Sequence, residues 1–131
     1  MHATTPALRA AESARAYIRL REAVAAGLAL LPVERAACAV IELAEGPARE
    51  TARAVLAELH TWYDAHNEAW TLMGQARDNQ RLLDGRNPRR DRIDYWFWQA
   101  SRRQLHRAWE ARRTERQAAA RIHELLGLEG R

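Results

Sequence analysis

The chain has no lysine, one cysteine, one phenylalanine and no apolar run long enough to span a bilayer. Without lysine there is no phosphate-binding loop of the GKS/T form, and GxGxxG, GxSxG and HExxH are absent as well. The Glu-x-x-His element of di-iron helix bundles does not occur. No catalytic residue, metal or cofactor is therefore expected. The lone Cys38 excludes a disulfide framework, a Cys-rich zinc site and a CxxC redox pair. Its apolar neighbours in "RAACAVIEL" predict a buried, inert thiol. The longest apolar run, "AVAAGLALLPV", is about half of what a bilayer requires and is broken by Gly27 and Pro32. The N-terminal "MHATTPALRAAESARAY" carries charge throughout and lacks the apolar stretch of a signal peptide. The expectation is a cytoplasmic protein with no membrane contact.

What is present is arginine. All 21 basic residues are Arg, against 17 acids, and their distribution is uneven. From Met1 to Gly85 nine arginines face eleven acids, whereas from Arg86 to Arg121 eleven arginines face four. A polyanionic partner would meet the C-terminal third. The choice of Arg over Lys, alongside 27 alanines, is also what a GC-rich genome produces and by itself says nothing about phosphate.

The four prolines organise the chain. Pro6, Pro32, Pro47 and Pro88 each stand directly before strong helix formers, and proline suits the first helical position because its missing N–H has no partner to lose there. Thr5 and Asn87 can cap, Gly46 can end one helix as the next begins, and "LDGRNP" around Gly85 makes a tight turn. The spacing predicts four helices over about 6–30, 32–45, 47–84 and 88–126, with 127–131 as a tail. At 131 residues this suits a single all-helical domain, two shorter helices covering a long antiparallel hairpin. The expected fold class is an all-α helical bundle, its two long helices running roughly 55 Å each.

Apolar spacing assigns faces. In the third helix Ala52, Val55, Leu59, Trp62, His66, Ala69, Met73 and Ala76 step by three and four into one seam. In the fourth, Ile93, Phe97, Ala100, Gln104, Ala108, Ala111, Ala118, Ile122 and Leu125 do the same. Trp98, Leu105 and Trp109 form a second stripe about a third of a turn away. Either this stripe packs on the first helix, through Tyr17, Leu20, Val24, Leu28 and Leu31, or it faces a partner chain or stacks on bases. Arg92, Arg102, Arg103, Arg107, Arg113 and Arg121 share the remaining broad face, and the hairpin tip adds Arg81, Arg86, Arg89 and Arg90, diluted by Asp84 and Asp91. Such a face suits the tracking of phosphates.

The histidines complete the inventory. His60 with Asp64 and His106 with Glu110 are one turn apart, a spacing commoner in i,i+4 ion pairs than in metal sites. His66, inside the expected seam, predicts a core histidine bonded to Gln104 across the hairpin. Arg53 to His60 and Arg116 to His123 are both Arg-x6-His, which resembles the Arg-x4-6-His motif of the HEPN family of small helical ribonucleases. That family typically follows the Arg with a polar residue, as Gln117 does and Ala54 does not. The resemblance is confined to these spacings and implies RNA cleavage by one of the two pairs. The leading expectation is instead a non-enzymatic helical subunit, part of a larger nucleoprotein assembly, contacting nucleic-acid backbone through Arg86, Arg89, Arg90, Arg92, Arg102, Arg103, Arg107, Arg113 and Arg121. The alternative is a protein-interaction module, an adaptor or homo-oligomer, docking through Trp98, Leu105 and Trp109.

Overall fold

A computed structural model describes residues 5–128 of the chain. These are all-α: α1 (Pro6–Ala26), α2 (Leu30–Leu43), α3 (Pro47–Leu82) and α4 (Arg92–Leu125), a helical bundle whose last two helices form a long antiparallel hairpin. Residues 129–131 of the expected tail lie outside the described residues. No described helix is long and apolar enough to cross a membrane.

Local chemistry sets the helix ends. Thr5 caps α1, its Oγ1 accepting from Leu8 N–H at 3.1 Å with Pro6 at the first helical position. α1 stops at Ala26 rather than near residue 30, because Gly27 takes φ 133°, a conformation closed to residues with a Cβ. α2 then begins at Leu30, so Pro32 occupies the first turn but not its first position. The fourth helix starts at Arg92 and not at Pro88. Asp91 Oδ1 accepts from Ile93 N–H at 2.7 Å and Asp94 N–H at 3.3 Å, a side-chain cap that overrides proline's preference. Asn87 serves the tip turn instead, its Oδ1 accepting from Arg89 N–H. At the C-terminus Gly127, at φ 63°, donates to the Glu124 carbonyl while Leu128 N–H reaches the His123 carbonyl, the paired bonds of a Schellman cap.

The chain divides into two compact units, one formed by residues up to Trp62 together with those from Gln117 onward, the other by Tyr63–Arg116. In the first unit α1 packs on α2. Its core is aliphatic: Ala16, Leu20 and Val24, Val33, Ala37 and Val40, Ala52, Val55 and Leu59, and Ala118, Ile122 and Leu126. Burying such side chains is worth about 1.5–3 kcal/mol each for the larger ones. Polar clips flank this core, with Arg49 Nε donating to the Ile41 carbonyl at 2.8 Å and Arg121 pairing with Glu58 at 3.2 Å. Cys38 is exposed, contrary to the buried thiol expected: Ala37 faces the core, and the next residue sits 100° further round α2.

The second unit is built differently. Its interior consists of Ala65, Ala69, Leu72 and Ala76 from α3 against Ser101, Ala108 and Ala111 from α4, with Asp94 buried near the tip. The expected seams need correction in both units, Leu125 and Leu126 belonging to the first. Ile93 is 65% exposed and Met73 and Leu125 are exposed, while Leu72, Asp94, Ser101, Glu115 and Leu126 take interior positions. Asp94, Ser101, Ala108, Glu115 and Ile122 recur every seven residues along α4. Three of those five are polar, so a search for apolar spacing passes them by. Each has a partner inside its own unit: Arg86 for Asp94 at 2.9 Å, the Ala76 carbonyl for Ser101 Oγ at 3.2 Å, and His66 and Arg112 for Glu115 at 3.1 and 2.9 Å. No buried side-chain nitrogen or oxygen among the described residues is left without a partner.

Candidate nucleic-acid interface

The nine arginines expected to meet a polyanion separate into two groups. Arg86 is bound to Asp94, Arg107 to Glu68 at 3.6 Å and Arg121 to Glu58, the last in the first unit and the other two in the second. Arg89, Arg90, Arg92, Arg102, Arg103 and Arg113, all exposed and all in the second unit, have no carboxylate partner among the described residues. Surface arginines already held by acids contribute little new charge to a ligand, whereas the second group keeps its full charge.

Helix geometry then divides the second unit into two sides. Arg112 Nη2 lies 3.9 Å from Met73 Sδ, and a groove of about 240 Å³ is lined by Met73, Ala76, Arg77, Gln80 and Leu105, so these residues mark one side of the α3–α4 pair. At 100° per residue, Trp98, Arg102, Leu105, Trp109, Arg113 and Arg116 lie within about 80° of arc on α4. On α3, Tyr63, Trp70, Met73, Arg77 and Arg81 fall within a similar arc on that same side. The opposite side carries Glu68 paired to Arg107, and Gln104 bonded to Asn79 at 2.8 Å and Gln75 at 3.5 Å.

The aromatic and basic side is unusually open. Trp109 is 80% exposed, Trp70 is 71% exposed, and Leu105 is exposed as well. Of the Trp98–Leu105–Trp109 stripe, Leu105 and Trp109 are thus open, and α1 spends Leu20 and Val24 on the first unit's core. Trp98 alone is half-buried, stacked on Tyr95 at 5.9 Å between ring centroids, with the Arg102 guanidinium carbon 5.0 Å from its own centroid. Such a cation–π contact fixes a guanidinium in place without neutralising it. Acids are missing from this side between Trp98 and Arg116. Asp64, Glu68, Asp78 and Glu110 fall on other arcs, and Glu115 is engaged by His66 and Arg112.

No protein family, curated protein or solved structure matches the chain.

Sequence reasoning missed Trp70, Arg77 and Arg116 as parts of this surface, and it separated Arg102 and Arg113 from the tryptophans they adjoin. The signal was present as i,i+4 and i,i+7 spacings: Trp70 to Arg77 to Arg81, and Trp109 to Arg113 and Arg116. Arg103 and Arg107, which had been grouped with them, turn to the opposite side.

The histidines are engaged elsewhere. His66 meets Glu115 and not Gln104, because the antiparallel register sets Gln104 beside Gln75 and Asn79. His60 lies 3.3 Å from Glu34, and His106 pairs with Glu110 at 3.0 Å across one turn. Among the described residues no group of three or more His, Cys, Asp and Glu could hold a metal ion. Of the two Arg-x6-His pairs, Arg53 is bound to Glu50 and His60 to Glu34, while Arg116 and His123 belong to different units. His123 Nδ1 lies 2.7 Å from the Ala119 carbonyl oxygen, a bond within its own helix.

Proposed function

We propose that this chain is a cytoplasmic, non-enzymatic helical subunit that contacts nucleic-acid backbone through its C-terminal hairpin, within a larger nucleoprotein assembly. The observation that carries the reading is the side of the second unit where Arg77, Arg81, Arg102, Arg113 and Arg116 stand with no unengaged acid. Like charges gathered without counterions on a folded surface repel one another, and a polyanion relieves that repulsion while releasing its own condensed cations. The tip arginines Arg89, Arg90 and Arg92 extend the basic track along the same unit.

Fluorescence anisotropy with labelled nucleic acid over a salt series tests the reading. The logarithm of the binding constant should fall linearly with the logarithm of salt concentration, and Arg102→Ala and Arg113→Ala should each lower the slope by about 0.7–0.9. Binding no tighter than about 10⁻⁴ M at physiological salt would refute it.

The exposure of Trp109 and Trp70 also favours a second reading, docking on another protein, since exposed aromatics are enriched at interfaces. Sedimentation of the purified chain, alone and as Trp109→Ala, tests self-association: a dimer that the substitution dissociates supports this reading, and a monomer in both forms removes its homo-oligomeric version.

A further inference from the structure

Resting on the nucleic-acid reading above, we infer that the ligand is a single strand, its bases stacked on Trp109 and Trp70 while the neighbouring arginines hold its phosphates. A duplex keeps its bases stacked inside and presents sugar and phosphate, which an indole face cannot use. A single strand presents both kinds of surface at once.

Three observations point this way. Trp109 and Trp70 are the two most exposed large apolar residues described and lie on the same side of the second unit. Each stands one helical turn from a residue that lines the groove, Trp70 from Met73 and Trp109 from Leu105, and Arg77 lines it too. Each has an arginine at helical spacing on the same arc, Arg113 one turn after Trp109 and Arg77 two turns after Trp70. Along α4, Trp98 and Trp109 are about 16 Å apart, roughly five stacked nucleotides, within the range of single-strand sites. Trp98 already has Arg102 over its ring, which adds a second flat surface of the kind that bases use.

The competing occupant, a second copy of the chain, fits the charges poorly. A two-fold contact would set this side against its own image, so Arg77, Arg102, Arg113 and Arg116 would meet arginines and no free acid. A strand of phosphates supplies the missing charge.

The test compares a labelled oligothymidine and a labelled oligouridine of about 20 nucleotides with a mixed-sequence duplex of the same length, at matched salt. The inference expects both single strands to bind at least about tenfold more tightly than the duplex. Trp109→Ala should weaken single-strand binding about tenfold and leave duplex binding unchanged. Trp96→Ala is the control: Trp96 is 57% exposed but on the opposite arc of α4, so it should have no effect. Circular dichroism of each variant confirms folding, which the exposure of both side chains makes safe. If single strand and duplex bind equally and Trp109→Ala is silent, the stacking inference falls while the backbone reading stands. If neither nucleic acid binds, both fall together. A preference for single strands that survives Trp109→Ala and Trp70→Ala combined would also overturn the stacking inference.

Discussion

Ser101 has no exposed surface, and its hydroxyl donates to the Ala76 carbonyl across the second unit's interior. That carbonyl also accepts the helical N–H four residues on, so removing the hydroxyl leaves no buried acceptor orphaned. Ser101→Ala should therefore cost about 1 kcal/mol or less. Ser101→Leu is another matter. Ala76, Ala108 and the serine itself are the small residues that let α3 and α4 approach, and a leucine has no room there. Forcing extra methylenes into such a site costs about 1–3 kcal/mol through strained rotamers and displaced backbone. Urea unfolding followed by far-UV circular dichroism reads the difference. With a slope of about 2 kcal/mol per molar, a loss of about 2 kcal/mol moves the midpoint by about 1 M. Ile93→Ala, at a position that apolar spacing places in the seam but which is largely exposed, should change stability by no more than about 0.5 kcal/mol. An unchanged midpoint for Ser101→Leu, or a large shift for Ile93→Ala, would refute the polar seam.

Two further predictions follow from local structure. Asp91→Ala removes the cap on α4 and should cost about 1 kcal/mol, seen as faster hydrogen exchange at the Ile93 and Asp94 amides than at amides in the middle of the helix. Cys38, exposed on α2, should react with a thiol reagent at one equivalent per chain without denaturant, whereas protection until unfolding would restore the buried assignment.

Helix number, type and order were legible because proline and its capping neighbours act through covalent geometry at short range. Thr5 and Pro6 need nothing beyond their own turn. The errors arose where a distant partner decides the outcome. Asp94 and Glu115 look like surface residues until the tip turn brings Arg86 to Asp94 and the hairpin register brings His66 to Glu115, which Arg112 already meets one turn away. The basic character of the C-terminal third was plain from composition. Its division into two sides was not, because Arg107 is neutralised by Glu68 from the other helix while Arg102 is held by Trp98 from its own. Trp70 was overlooked for a related reason: it lies on α3, away from the aromatic cluster that draws attention to α4.

The polar seam has a consequence for motion. Alanine contacts are nearly interchangeable, so two helices touching mainly through Ala65, Ala69, Ala76, Ala108 and Ala111 could slide by a turn at small loss of packing. Ser101 with Ala76, Gln104 with Asn79, and Glu115 with His66 each close at only one axial setting. Slippage would open all of them together and leave Glu115 with only the Arg112 of its own helix. The second unit is thus keyed like a lock, its alignment held by a few polar teeth, and the tryptophans and arginines on its outer side keep a constant spacing while the interior beneath them remains thin.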